Sequence, residues 1–162
     1  MKNEGITILQ IVITIVIMII LATIAVFYAQ GVPSEARIAT IYNEVKEIKS
    51  SIVEARMLNK MKVKGDTLDF YGEVTVPKVD ADAYETVLGD NRTGEYYYLD
   101  FTSSRKLENT LELENVNHDY LLDFNTLNIY LIKGIEIKSG DTISVKYDAN
   151  EIEEYYYHTF KK

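Results

Sequence analysis

The chain has 162 residues, no cysteine and a formal net charge of −8 at pH 7, from 17 basic and 25 acidic residues. This length allows one modest domain in addition to an apolar segment. The lack of cysteine excludes disulfides, thiolate metal sites and a cysteine nucleophile. The negative charge disfavours nucleic acid and anionic lipid headgroups as partners, because both are also negatively charged.

The N-terminal part of the chain contains a long uncharged stretch. No charged side chain occurs from Gly5 through Ser34, and residues 6–29 are almost entirely apolar. As a helix, this part would be about 36 Å long, enough to cross a hydrocarbon core of roughly 30 Å. A cleaved signal peptide has a shorter apolar part, of about 7 to 15 residues. The sequence therefore predicts a membrane-spanning helix over residues 6–33, preceded by the polar residues 1–5.

The small and polar residues of this stretch share one face of the expected helix. At 100° per residue, an arc of about 120° contains Thr7, Gln10, Thr14, Ala22, Ala25 and Ala29. Helices in lipid pack through small side chains and interhelical hydrogen bonds, so this face predicts contact with other helices. Chance sorting is the alternative, because Thr23 falls on the opposite side.

An amphipathic helix is expected after Gly31 and Pro33, which should bend or break the chain. Apolar residues recur there at steps of three and four, namely Ile38, Ile41, Val45, Ile48, Ile52 and Ala55. The charged residues assigned to the other faces are Glu44, Lys46, Glu47 and Lys49. The stripe covers under three heptads, so packing on a sheet of the same chain is favoured over a two-stranded coiled coil.

The rest of the chain is predicted to be β-structure with a substantial loop. One strand pair is expected around LDFYGEVTV, within residues 59–95, where turn-forming residues are frequent. Three or four antiparallel strands are expected in EYYYLDF, HDYLLDF, LNIYLIKGIEI and DTISVKYD. The tail EYYYHTFKK is typical of a last strand or a frayed end. The expected fold class is therefore α+β, with a long N-terminal helix packed on a small antiparallel β-sheet. The first half of that helix is expected to span a membrane, and the second half to be amphipathic.

Candidate metal ligands are few. His118 and His158 lie forty residues apart. Each is therefore better interpreted as an ordinary surface or strand residue than as a metal ligand. Asp119, Asp123 and Asn125 are spaced so that they can reach one cation, but a solvated turn is the favoured explanation. The sequence predicts no metal and no cofactor.

Catalytic motifs are also missing from the sequence. No phosphate-binding glycine loop and no H-E-x-x-H motif occurs, and Ser103 and Ser104 have no histidine near them in sequence, so no enzyme activity is expected. The tyrosine triplets at residues 96–98 and 155–157 form either a contact patch or ordinary strand positions. The strand explanation is favoured, because tyrosine is a good strand residue.

The layout as a whole resembles a type IV pilin or pseudopilin. The resemblance rests on the leader MKNEG, the apolar run from Ile6, the amphipathic continuation after Pro33, and the segment YLLDFNTLNIY. In this family a glycine precedes the apolar residue that becomes the new N terminus, and a glutamate follows four residues later. The corresponding positions here hold Gly5, Ile6 and Gln10.

The resemblance implies a structural subunit that is processed and then assembled. It implies cleavage by a prepilin peptidase between Gly5 and Ile6, methylation of the Ile6 amino group, and assembly into a filament through the N-terminal helices. The implied partners are other pilin subunits, the peptidase, and membrane lipid before assembly. Residues 34–162 would be the extracytoplasmic domain of a single-pass protein of the cytoplasmic membrane, extracellular once in the filament. The resemblance does not distinguish between a pilus and a pseudopilus for secretion or DNA uptake.

Gln10 bears on the place of the subunit in such a filament. The family's glutamate pairs with the positively charged N terminus of a neighbouring subunit, and an amide cannot neutralise that charge. One interpretation is a minor subunit at or near the filament tip, and the other is a polar residue tolerated near the membrane interface. The alternative to a filament is a single-pass anchored domain that binds something outside the membrane and does not polymerise.

Overall fold

A computed structural model of the chain describes residues 12–19, 34–139 and 142–161. The chain divides into two compact units, Met1–Ala36 and Arg37–Lys162. In the first unit, helix α1 covers residues 12–19, and all of its side chains are exposed.

The second unit is built around one antiparallel sheet. Its helices are α2 (Ser34–Met57, which begins in the first unit), the 3-10 helix η1 (Ala81–Tyr84), α3 (Glu85–Leu88), α4 (Lys106–Thr110) and α5 (Ala149–Phe160). Its strands are β1 (Met61–Lys64), β2 (Thr67–Phe70), β3 (Val74–Val79), β4 (Tyr96–Leu99), β5 (Tyr120–Asp123), β6 (Ile129–Ser139) and β7 (Thr142–Asp148). In the described ranges these seven strands are ordered as they occur in sequence, so each pairs with its neighbours along the chain.

Apolar clusters cover both faces of the sheet. Successive side chains of its central strands point to opposite faces, so each of these strands contributes to both clusters. Tyr97 pairs with Leu122 across β4 and β5, and both belong to the main core cluster, which also includes residues of α2 and α5. Tyr98 pairs with Leu121 on the opposite face. There a smaller cluster forms beneath η1 and α3, and its buried members are Leu88, Tyr96, Leu121 and Tyr130.

Helix α2 is held on the main core by its apolar stripe. The six stripe residues, Ile38, Ile41, Val45, Ile48, Ile52 and Ala55, are each at most 5% exposed. Burying one such aliphatic side chain contributes about 1.5 to 3 kcal/mol, so the stripe accounts for most of the attachment of α2. Arg56 adds a polar contact near the end of the helix, since its Nη1 donates to the backbone oxygen of Phe124 at 3.1 Å.

The pairing of β6 with β7 is interrupted near Gly134. The register shifts between Tyr130 and Ile135, and Gly134 has a φ of +63°. A Cβ added at Gly134 would lie 2.6 Å from Cγ1 of Val145 and 2.7 Å from Cε1 of Tyr147. Glycine is therefore required both by the backbone conformation and by the close approach of β7.

The predicted fold class is wrong in two respects. The sheet is not small, because residues 61–64, whose lysines are typical of a solvated loop, form the edge strand β1 and bring the sheet to seven strands. The long membrane-spanning helix is not found either: α1 as described has eight residues, a rise of about 12 Å. No helix in the described ranges is long and apolar enough to cross a membrane. The bend expected at Gly31 and Pro33 lies outside those ranges.

The C-terminal tail also differs from the expectation. Residues 149–160 form helix α5 instead of a strand or a frayed end. The side chain of Asp148 caps this helix by accepting from the backbone N–H of Asn150 at 2.8 Å. The cap and the packing of Tyr156 on Tyr42 outweigh the strand preference of the tyrosines.

Candidate functional site

Glu44, on α2, is the centre of a buried polar cluster. The residue is 4% exposed. Its Oε2 accepts a hydrogen bond from the Tyr120 hydroxyl at 2.8 Å and one from Nδ1 of His118 at 2.9 Å. Its Oε1 accepts from the backbone N–H of Asn117 at 3.3 Å. A carboxylate only accepts, so His118 carries a proton on Nδ1. We call these four residues the Glu44 cluster, and they join α2 to the start of β5.

A second buried carboxylate holds the same loop from α4. Glu108 is 5% exposed, and its Oε1 accepts from the backbone N–H of Val116 at 3.3 Å. Val116 and Asn117 are consecutive, so acids from two helices bind neighbouring N–H groups of the loop that leads into β5. Buried charges are tolerated where donors satisfy them, as they do here.

The environment of Tyr120 keeps its hydroxyl group protonated. Burial, together with the nearby charge and hydrogen bond of Glu44, raises the pKa of Tyr120 well above its ordinary value. The hydroxyl therefore remains a donor to Glu44 at neutral pH. His118 is the partly open member of the cluster, with a side chain that is 30% exposed.

The cluster has some parts of a general-base site. An imidazole oriented by a carboxylate is the pair that activates a nucleophile in many hydrolases. However, three clefts of about 310 to 380 Å³ on the described surface are lined by residues other than Glu44 and His118. The geometry of the cluster is accounted for by its role in holding α2 and the loop before β5.

Asp119 forms a separate polar site at the turn that follows β4. Its Oδ1 accepts from the backbone N–H groups of Phe101 and Thr102, each at 2.9 Å. Its Oδ2 accepts from the hydroxyls of Thr102 at 2.7 Å and Tyr98 at 3.1 Å. Burial alone would raise the pKa of Asp119, but the hydrogen bonds from Thr102, Phe101 and Tyr98 outweigh it and lower that pKa below its ordinary value.

The cation site considered for Asp119, Asp123 and Asn125 is not formed, because the two carboxylates serve different turns. Asp123 closes the turn between β5 and β6, where its Oδ1 accepts from the backbone N–H of Asn125 at 2.9 Å and its Oδ2 from the Thr126 hydroxyl at 2.8 Å. Within the part of the chain that the structure describes, no three His, Cys, Asp or Glu side chains are placed to hold a metal ion.

The two tyrosine triplets have different roles. Tyr96 and Tyr97 are buried in β4, as expected for strand residues. In the second triplet, the ring of Tyr156 stacks on that of Tyr42 with centroids 4.3 Å apart, and the Tyr157 hydroxyl lies 2.8 Å from the Tyr42 hydroxyl. The hydrogen bond with Tyr157, with burial, raises the pKa of Tyr42 to about 12. This triplet therefore attaches α5 to α2.

Most residues predicted to act in processing and helix packing lie outside the described ranges, namely Gly5, Ile6, Thr7, Gln10, Ala22, Ala25 and Ala29. Thr14 lies in α1 with its side chain exposed. The cleavage site, the methylation site and the packing face therefore stay predictions.

The prediction that Glu44 lies on one of the other faces of the helix is wrong, and the Glu44 cluster was therefore not predicted. A signal for its burial was present, because Glu44 follows Ile41 by three positions and precedes Ile48 by four, which is the spacing of the stripe. Its partners carried no such signal. His118 and Tyr120 lie 74 and 76 residues further along the chain, and only the fold brings them to α2.

Comparison of the chain with protein-family models, with curated proteins and with solved structures gives no match.

Proposed function

We propose that the chain is a structural subunit of a type IV pilus or pseudopilus-like filament, processed by a prepilin peptidase and assembled through its apolar N-terminal segment. The observation that supports this proposal is the pattern of residues at the N-terminal end of the sequence. The leader MKNEG ends at Gly5, Ile6 follows, and no charged side chain occurs through Ser34. A segment this apolar is stable in the cytoplasmic membrane before assembly and among other such segments afterwards.

The described domain supports a structural role. Its polar clusters around Glu44, Asp119 and Asp123 are satisfied by donors of the same chain, so they stabilise turns and the attachment of α2. A filament subunit needs a domain that keeps its shape while its N-terminal segment packs among neighbours. A rigid α2, fixed by the apolar stripe and the Glu44 cluster, meets that need.

Gln10 supports a minor position within the filament. A positively charged N terminus in an apolar filament core needs a neutralising carboxylate, because an unpaired buried charge costs several kcal/mol. The amide oxygen of Gln10 accepts a hydrogen bond but carries no charge. A subunit at or near the tip, where a neighbour is missing on one side, does not have to provide that pairing.

The intact mass of the protein, isolated from cells that contain a prepilin peptidase, tests the proposal. We expect the mature chain to begin at Ile6 and to carry one additional methyl group. Gly5→Leu is expected to retain the leader and stay in the membrane, because a bulky side chain next to the scissile bond blocks processing. Asn3→Leu, which adds the same side chain two positions further from the bond, is the matched control and is expected to be processed. Retention of MKNEG by the native protein contradicts the proposal and favours an anchored domain that does not polymerise.

A further inference from the structure

An acceptor pattern for asparagine glycosylation lies in the loop between α3 and β4. Asn91, Arg92 and Thr93, which we call the acceptor motif, form the pattern N-x-T without proline in the middle. Oligosaccharides are attached to the asparagine of this pattern in surface loops of secreted proteins. Of the asparagines in the chain, only Asn91 has a serine or threonine two positions later. The sequence therefore provides a single asparagine for this modification.

A pattern of this kind is used only where its side chains are accessible, as they are here. All three residues of the acceptor motif are exposed and lie outside helices and strands. Among the described residues, no hydrogen bond engages the side-chain amide of Asn91 or the hydroxyl of Thr93. By contrast, the amides of Asn117 and Asn150 donate to other residues of the domain. The side chain of Asn91 is therefore free to enter the active site of a transferase.

The backbone of the loop is held in place by other contacts. The backbone N–H of Asn91 donates to the backbone oxygen of Leu88 at 2.9 Å, and the backbone oxygen of Asn91 accepts from the hydroxyl of Tyr96. Nη1 of Arg92 lies within 3.5 Å of carboxylates of η1 and α3. These contacts use the backbone of Asn91 and the side chain of Arg92, so they leave both groups that the modification needs unoccupied.

The acceptor motif lies on the face of the sheet opposite α2. Leu88 and Tyr96, which bind the backbone of Asn91, belong to the smaller cluster beneath η1 and α3. Helix α2 packs on the main core, on the other face. A bulky group attached at Asn91, an exposed residue, therefore extends into solvent and leaves the attachment of α2 intact.

We infer that Asn91 is the acceptor of an N-linked oligosaccharide. The donor is an oligosaccharide joined through phosphate to a membrane lipid, and a transferase of the cell catalyses the step. Nδ2 of Asn91 forms a bond to C1 of the first sugar, while the bond from C1 to the phosphate oxygen breaks and the phosphate keeps the electron pair. The amide nitrogen loses one proton to a base of the transferase. The inference rests on the location of residues 34–162 outside the membrane, which is part of the proposed function.

Thr93 is a positioning residue in this step. The amide nitrogen of asparagine is a weak nucleophile, because its lone pair is delocalised into the carbonyl group. The transferase therefore has to hold the amide in one geometry, and the hydroxyl two positions later is the group by which it binds the acceptor. The exposed hydroxyl of Thr93 supplies this group.

The mass of the full chain, isolated from the cells that make it, tests the inference. We expect the native chain to be heavier than its amino-acid sequence by one oligosaccharide, and peptide fragmentation to assign this mass to Asn91. Asn91→Gln is expected to lose the added mass completely. Asn109→Gln is the matched control, since it makes the same change at an exposed asparagine outside the pattern, and it should keep the added mass.

Two substitutions at Thr93 separate recognition from a structural effect. Valine has nearly the shape of threonine but no hydroxyl, so Thr93→Val is expected to lose the oligosaccharide. Thr93→Ser keeps the hydroxyl and is expected to carry the oligosaccharide. Thermal unfolding checks that each variant stays folded, as expected for exposed positions. Modification of Thr93→Val to the native extent would overturn the inference.

The same spectra distinguish failure of the inference from failure of the proposed function. A bare Asn91 in the native chain overturns the inference, and so does added mass that persists in Asn91→Gln. The N-terminal peptide reports separately on processing. A chain that begins at Ile6 and has a bare Asn91 removes the inference alone. A chain that keeps MKNEG and carries the oligosaccharide contradicts processing and supports the inference.

Discussion

The carboxylate of Asp119 holds the turn after β4 through hydrogen bonds that favour its ionised form. It accepts from two backbone N–H groups, of Phe101 and Thr102, and from the hydroxyls of Thr102 and Tyr98. All these donors favour the ionised form, so the pKa lies below the ordinary value of 3.8 although burial acts in the opposite direction. Asp119 therefore binds its proton more weakly in the folded chain than in the unfolded chain.

Asp119→Asn is expected to remove stability that depends on pH. A carboxylate with a lowered folded pKa contributes stability above its unfolded pKa, and this contribution is lost as the pH falls through the folded pKa. We expect the substitution to lower the free energy of unfolding at neutral pH by about 1 to 3 kcal/mol. The difference from the native protein should shrink below a pH of about 4.

Urea unfolding at neutral and at acidic pH measures this difference. Asp82→Asn is the control, because Asp82 is exposed and its substitution should change stability by no more than about 0.5 kcal/mol. A difference between Asp119→Asn and the native protein that stays constant down to strongly acidic pH would contradict the role given to the ionised carboxylate.

Among the elements, strands with clear alternation were predictable and those set by tertiary contacts were not. The segments around β2 to β7 alternate or are rich in β-branched and aromatic residues, which indicates strands directly. β1 alternates apolar and polar residues but has only four, two of them lysines, which are uncommon in strands, so it was missed although Met61 is buried and pairs with Phe70. α5 was missed because its tyrosines favour a strand, while part of what stabilises the helix is packing on Tyr42, more than a hundred positions away.

The bulge in β6 gives a prediction at this scale. Gly134→Ala is expected to destabilise the domain more than Gly65→Ala, although the two glycines have φ values of +63° and +60°. Alanine at either position pays a backbone cost of about 1 kcal/mol for the left-handed conformation. Only at Gly134 does the added methyl group also meet Val145 and Tyr147, whereas nothing lies within 4 Å of it at Gly65. We expect this overpacking to cost about 1 to 3 kcal/mol more.

Chemical denaturation of the two glycine variants, fitted with a common slope, isolates that steric contribution. Equal losses for Gly134→Ala and Gly65→Ala would mean that the conformation alone, and not the approach of β7, selects glycine in the bulge.

In the whole molecule, α2 is the element to which distant parts of the chain attach. Its apolar face meets the sheet, Glu44 binds the loop before β5, and Tyr42 binds α5. The stripe was visible in the sequence because helical spacing is a local property. The polar and aromatic contacts were not, because they join residues separated by 74 to 115 positions.

Glu44→Gln is expected to loosen this attachment. Glutamine has one amide oxygen, and its NH₂ group cannot accept from Tyr120 or His118, so at least one buried donor loses its partner. We expect a loss of about 1 to 3 kcal/mol in the free energy of unfolding and faster hydrogen exchange at the backbone N–H of Asn117. Glu47→Gln, an exposed position on the same helix, should leave both unchanged. Similar behaviour of the two variants would show that the apolar stripe alone holds α2.

Because every strand pairs with its neighbour in sequence, the hairpins of the sheet can form one after another as the chain leaves the ribosome. Such local pairing favours fast folding. The packing of α2 is completed later, because its core also includes residues of β5 and α5, and α5 is synthesised about a hundred residues after α2. At translation rates of about 5 to 20 residues per second, α5 emerges roughly 5 to 20 s after α2. During that interval the nascent chain still exposes the part of α2 that α5 covers, an apolar helix face of the kind that chaperones bind.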